Sequence, residues 1–151
     1  MKNCLLDLDA VTAGRGADEC MKPHDPRWLN TVKLDYDFNP QALCGRWLRF
    51  LDEIMEGDEQ RIAVLQEAFG YCLWDSTELE TFFIFVGSGQ NGKSTTMNIL
   101  EKMLGRENCT AYSPRELDDK YMIAYLQGKL ANICSDMDEV DAFCERLIKK
   151  V

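Results

Sequence analysis

The chain has 151 residues, 46% of them hydrophobic and 28% charged, which is the composition of a globular protein with a hydrophobic core. Its 26 Asp and Glu outnumber its 17 Lys and Arg, for a net charge of −9, so we do not expect a protein that coats duplex DNA with a basic surface. This balance still permits a nucleic-acid enzyme that reaches its strand through a few basic loops. No apolar run approaches the about 18 residues of a membrane-spanning helix, and the N-terminus lacks a signal-peptide pattern. We therefore expect a soluble, cytoplasmic protein with no membrane partner.

Cysteine and histidine usage bears on metal and redox chemistry. The chain has seven cysteines, none in a CxxC pair, and a single histidine. This count predicts neither a zinc site nor a disulfide framework. Reduced cysteines in a cytosolic chain, several of them buried, are the simpler interpretation.

The first 78 residues predict a mainly helical unit. Residues 1–40 are rich in turn signals, with short strands expected around 5–8 and 28–34. Asn39-Pro40 is a typical helix start, and the helix that follows is predicted to end at Gly57. Asp58 is predicted to cap a second helix, whose apolar stripe continues to Leu73.

From residue 79 to 151 the pattern alternates between strands and helices, which predicts an α/β domain. Residues 81–86 are β-branched and aromatic and predict a strand buried on both faces. A glycine loop, a helix over 93–104 and a stop at Gly105 follow. Further strands are predicted over 109–112 and 130–134, with a helix between them that begins at the Ser113-Pro114-Arg115-Glu116 capping box and continues to about residue 126. An amphipathic segment over 140–151 is predicted last.

The loop between the first of these strands and its helix matches GxxxxGK[ST], a motif that predicts nucleotide binding. Glycines let the backbone wrap a phosphate, and the free amides of the following helix point at the anion. Lys93 is expected to reach the β and γ phosphates of ATP, and the Ser94 hydroxyl to bind Mg²⁺. The predicted nucleotide-binding residues are Gly87, Ser88, Gly89, Gln90, Asn91, Gly92, Lys93, Ser94 and Thr95.

Hydrolysis also requires a carboxylate at the end of a neighbouring strand. Asp136 follows the predicted strand 130–134 and is our candidate for the second magnesium ligand and a catalytic acid. Glu139 or Asp138 is the candidate that orients the attacking water. The alternative is that these acids only decorate a helix N-terminus, where they favour its dipole.

Several runs spread over most of the chain resemble the C-terminal part of the phage/plasmid primase family. These runs are Pro23-His24-Asp25-Pro26, Tyr36-Asp37-Phe38-Asn39-Pro40, Trp47-Leu48-Arg49-Phe50-Leu51, Leu65-Gln66-Glu67, Gly70-Tyr71 and Gly89-Gln90-Asn91-Gly92-Lys93-Ser94-Thr95. In that family this part is a superfamily 3 helicase, an AAA+ P-loop ATPase, preceded by a small module shared with poxvirus-type primase-helicases. The resemblance implies an ATP-driven helicase that forms a hexamer-like homo-oligomeric ring on single-stranded or forked DNA. It also implies that Lys93 and Ser94 bind ATP and Mg²⁺ and that Asp136 belongs to the acidic second motif.

The chain departs from the family pattern in two ways. The family's primase domain would lie upstream of the helical module, so we expect no priming from this chain, and the family's sensor strand, arginine and pore loop would lie beyond residue 151. We therefore expect an incomplete sheet and the ATP-binding core fragment of a replication helicase. The alternatives are a nucleotide-binding remnant without turnover or unwinding, and a small P-loop phosphotransferase. The second is disfavoured because Arg106, Arg115 and Arg146 form no recognisable lid pattern.

Overall fold

A computed structural model describes residues 1–74, 76 and 78–135, and within these the fold is mixed α/β. The strands are β1 (Leu5–Leu6), β2 (Met21–Lys22), β3 (Cys109–Thr110) and β4 (Ala131–Asn132). The α-helices are α1 (Leu8–Thr12), α2 (Ala17–Cys20), α3 (Gly45–Ile54), α4 (Glu59–Tyr71), α5 (Lys93–Leu104) and α6 (Pro114–Leu117). Short 3-10 helices cover Pro26–Trp28, Arg106–Asn108 and Met122–Leu126. None of the helices in this part of the chain has the length and apolar content that a bilayer crossing requires.

The N-terminal region folds around one antiparallel hairpin. β1 pairs with β2 in the register Leu5↔Lys22, which confirms a strand near residue 5. The predicted strand over 28–34 is wrong. A 3-10 helix ends at Trp28, and Leu29 then takes a left-handed conformation with φ of 47°. That turn breaks the extended backbone that a strand needs.

Helices α3 and α4 form a pair, and the start predicted from the sequence is correct for α4 but not for α3. The predicted start at Asn39-Pro40 is wrong, because the Asn39 side chain accepts a hydrogen bond from the Gln41 amide, which closes a local turn, and α3 begins at Gly45. The predicted cap at Asp58 is confirmed, since its carboxylate accepts from the Gln60 and Arg61 amides. Local capping therefore fixed the second helix but not the first.

The C-terminal part matches several predicted elements. Helix α5 has the predicted bounds and ends at Gly105, whose φ is 82°. The Ser113–Glu116 capping box is confirmed, although α6 stops at Leu117 and the predicted helix to about 126 is replaced by a turn and a 3-10 helix. β4 runs parallel to β3, with Cys109 opposite Ala131.

One hydrophobic core joins the helical unit to α5. Its buried residues are Leu51, Leu65, Phe69, Leu100 and Leu104. They come from α3, α4 and α5, and residues of β3 and β4 pack on the same cluster. Trp47 stacks on Phe50 at 5.5 Å between ring centroids and lies 5.6 Å from Phe69. The residues on the two sides of position 78 thus share a core.

Residues 81–86 differ most from expectation. They form no strand, and the large apolar side chains of this stretch are exposed. The two sheets of the described region are β1–β2 and β3–β4, and neither includes residues 81–86. A strand buried on both faces needs hydrogen-bonded neighbours as well as apolar residues. The prediction of a buried strand is therefore wrong for this structure, and the composition alone was insufficient to produce it.

Candidate functional site

The glycine loop before α5 bends through several left-handed residues. The φ angles of Gly89, Gln90 and Gly92 are 97°, 50° and 81°. Gly92 is the N-cap of α5, and no side chain caps the first turn of that helix. Four amides at a helix start lack partners within the helix, so this end carries donors suited to an anion.

The ammonium of Lys93 is folded back onto the loop. Its Nζ donates to the Gly87 carbonyl oxygen at 2.8 Å and to Asn91 Oδ1 at 3.0 Å. A Cβ at Gly87 would overlap the Asn91 carboxamide and would lie 3.1 Å from Lys93 Nζ. The cation, the carboxamide and the first glycine of the motif therefore form one compact group.

The end of the loop rests on the helical unit. A Cβ at Gly92 would lie 2.8 Å from Ile54 Cγ2 and 3.0 Å from Phe50 Cζ, so α3 contacts the loop directly. On the other side, the buried Thr96 hydroxyl donates to the Gly92 carbonyl at 3.0 Å. Phe50 and Ile54 lie within the helix predicted to end at Gly57, but nothing in the sequence indicated that this helix would meet the loop.

The remaining predicted residues lie either in the loop and the first turn of α5 or outside the described part of the chain. Ser94 and Thr95 are exposed in the first turn of α5, and Ser88 and Gln90 are exposed in the loop. Asp136, Asp138 and Glu139 lie outside the described residues. The structure thus brings Gly87, Asn91 and Lys93 together and says nothing of the acidic candidates.

The side chain of Asn132 extends the parallel β3–β4 pair, which precedes the acidic cluster in the sequence. Asn132 Oδ1 accepts from the Tyr112 amide at 2.8 Å and from the Thr110 hydroxyl at 2.9 Å. Its Nδ2 donates to the Tyr112 carbonyl at 2.8 Å. This carboxamide continues the β3–β4 ladder with side-chain bonds, a role that sequence reasoning missed.

An open depression of about 560 Å³ lies beside β3, and none of residues 87–95 lines it. Its lining residues are Cys109, Thr110, Ala111, Tyr112, Glu116, Tyr125 and Lys129. The Ser113 hydroxyl and amide donate to Glu116 and lower the pKa of that carboxyl. Lys129 Nζ donates to the Glu107 carbonyl at 2.5 Å. Both charged side chains are therefore occupied with structural bonds.

The thiols near the core are not activated. Burial raises the pKa of Cys72, and burial with the nearby Glu101 charge raises the pKa of Cys109. A raised pKa keeps a thiol protonated at neutral pH, whereas a nucleophilic cysteine needs a lowered one. Neither thiol therefore has the lowered pKa of a nucleophilic cysteine.

Comparison with known protein families matches residues 85–150 to DUF5906, a family of unknown function. The matched stretch covers the glycine loop, α5 and the β3–β4 pair and continues into the acidic cluster. No curated protein and no solved structure matches the chain.

Proposed function

We propose that the loop over 87–95 binds the phosphates of ATP with Mg²⁺ and that the chain is the ATP-binding core of a replication helicase of the superfamily 3, AAA+ P-loop type. The observation that carries the proposal is the position of Lys93, whose ammonium lies within the glycine loop at the uncapped start of α5. A cation beside free helix amides is a donor set that suits a phosphate group.

The residues present fit a nucleotide and its metal. The missing side chain at Gly87 lets Asn91 and Lys93 pack against the loop, and the α5 amides and Lys93 are donors for phosphate oxygens. Ser94, exposed in the first turn of α5, is the proposed loop ligand for Mg²⁺, with Asp136 as the second ligand. The metal would supply charge neutralisation on the β and γ phosphates. Glu139 is the proposed residue that orients water, with Asp138 as its alternative.

The helicase part of the proposal rests on the resemblance to phage/plasmid primases. It adds single-stranded or forked DNA as partner and a hexamer-like homo-oligomeric ring as the working state. One structural observation favours a second candidate, a chain that binds nucleotide without turnover. Residues 81–86, which should support the loop as a central strand, take no strand conformation in the structure.

The binding proposal is tested by ATP affinity in wild type, Lys93→Ala and Lys102→Ala. Lys102 is exposed in the last turn of α5 and serves as a matched loss of one positive charge. We expect Lys93→Ala to weaken ATP binding at least about tenfold, since bonds to a charged group contribute about 1.5–3 kcal/mol. Lys102→Ala should leave the affinity within about twofold, a change of no more than about 0.4 kcal/mol. Equal ATP affinity in Lys93→Ala and wild type would overturn the phosphate-loop assignment.

Turnover separates the two candidates once binding is established. The helicase core should hydrolyse ATP faster when single-stranded DNA is added, and its mass should rise to that of a ring. ATP binding with no hydrolysis, with or without DNA, would reject the helicase activity for this chain and favour the second candidate.

A further inference from the structure

We propose that Asn91 is a positioning residue that holds the Lys93 ammonium in the glycine loop without neutralising its charge. This inference rests on the proposed function, because the held cation is the one assigned to the phosphates of ATP. It adds a specific role for a motif position at which the GxxxxGK[ST] pattern accepts any residue.

The geometry of the hold is defined by two acceptors. An ammonium only donates hydrogen bonds, so Asn91 must present its carboxamide oxygen to Lys93, and the separation is 3.0 Å. The Gly87 carbonyl oxygen accepts at 2.8 Å from the other side. A Cβ at Gly87 would overlap the carboxamide, so the absence of a side chain there is what allows Asn91 to reach this position.

The chemistry explains why a carboxamide suits this position. Both acceptors are neutral, so the lysine is localised while its full positive charge stays available to an incoming anion. A carboxylate at the same place would hold the lysine more strongly, but it would also cancel the charge and repel phosphate. A side chain without an acceptor would leave the lysine on the Gly87 carbonyl alone. Asn91 therefore holds the Lys93 ammonium in place and leaves its positive charge uncancelled.

This role predicts that Asn91→Ala and Asn91→Asp change the mobility of Lys93 in opposite directions. The readout is ¹⁵N NMR relaxation of the Lys93 ammonium without nucleotide, with its signal identified by its loss in Lys93→Ala and with the exposed Lys102 as internal reference. Asn91→Ala should make the ammonium more mobile than in wild type, and Asn91→Asp should make it less mobile. A general disturbance of the loop would instead increase the mobility in both variants.

The same two variants should both weaken ATP binding. Because Lys93 keeps its bond to the Gly87 carbonyl, we expect Asn91→Ala to reduce the affinity about three- to tenfold, the range of one ordinary hydrogen bond, and Asn91→Asp to reduce it further through repulsion. Asn91→Ser retains a hydroxyl acceptor and should recover part of the loss. Asn98→Ala makes the same substitution at an exposed position of α5 and should leave mobility and affinity unchanged.

The outcomes separate this inference from the function on which it rests. If wild type binds ATP and Lys93→Ala does not, but Asn91→Ala leaves either the ammonium mobility or the affinity unchanged, the positioning role is overturned and the proposed function stands. If wild type itself fails to bind ATP, the proposed function falls and the positioning role falls with it. Opposite mobility shifts together with weaker binding in both variants support the proposal.

Discussion

At the scale of single residues, Asn108 shows how one buried polar side chain can join distant parts of the chain. Its Nδ2 donates to the Leu104 carbonyl at 2.7 Å and to the Lys33 carbonyl at 2.9 Å, and the residue is 6% exposed. One bond completes the C-terminal end of α5, and the other holds the segment before α3 against it. The Tyr36 hydroxyl adds a second bond, to the Met103 carbonyl at 2.8 Å.

Asn108→Ala should lower the free energy of unfolding by about 1–3 kcal/mol, because the Leu104 carbonyl in a buried bond and the Lys33 carbonyl in a partly buried one would lose their donor. Urea denaturation followed by circular dichroism measures this change. Asn98→Ala, the same substitution at an exposed position of α5, should stay within about 0.5 kcal/mol of wild type. Identical unfolding midpoints for wild type and Asn108→Ala would contradict the anchoring role.

Sequence reasoning could predict the residues whose partners are near in the chain. Asp58 bonds amides two and three positions away, and Ser113 and Glu116 bond each other. Asn108 was beyond its reach because one of its partners is 75 positions distant. The same limit applies to the site, where Lys93 and Gly87 are set by a local motif but the contact of Gly92 with α3 depends on tertiary packing.

At the scale of elements, α3 and α5 meet at Gly92, and this contact sets a steric requirement beyond the motif. Gly89 and Gly92 both have a positive φ, but a Cβ at Gly89 would meet nothing within 4 Å. At Gly92 a Cβ would press on Phe50 and Ile54. A substitution at Gly89 therefore tests backbone strain alone, whereas a substitution at Gly92 tests strain together with the packing of the loop on α3.

Gly92→Ala should destabilise the protein more than Gly89→Ala. The strain of a left-handed alanine costs about 1–2 kcal/mol at either position, and the crowding against α3 adds about 1–3 kcal/mol at Gly92 alone. Urea unfolding of both variants provides the comparison. Equal losses of stability would show that α3 yields to the added methyl group and that the contact is loose.

At the scale of the whole molecule, the main departure from a buried hydrophobic core is the apolar segment over 82–86, whose side chains are exposed. Ile84 is 39% exposed and Val86 is 86% exposed, and the flanking Leu79 is 67% exposed. Helices α4 and α5 were predictable because their apolar spacing and their end signals are local in the sequence. Whether residues 81–86 form a strand was not predictable from their composition. A strand also needs a neighbouring strand to pair with, and the β3–β4 sheet does not include this segment.

Exposed contiguous apolar segments promote association. We therefore expect copies of the chain to associate as the concentration rises, and the double variant Ile84→Lys with Val86→Lys to shift the midpoint of association upward at least about fivefold. Sedimentation velocity over a concentration series measures this midpoint. Val64→Lys replaces an isolated valine on α4 that is 59% exposed and should leave it unchanged. The same association curve for wild type and the double variant would contradict a role for the segment.

The contact between Gly92 and Phe50 also has an optical consequence. Phe50 touches the loop on one side and stacks on the Trp47 indole on the other, with 5.5 Å between the ring centroids. The intrinsic fluorescence of an indole depends on its immediate surroundings. A rearrangement of the glycine loop would reach Trp47 through a single phenyl ring, so the protein contains its own chromophore next to the region where a ligand is proposed to bind.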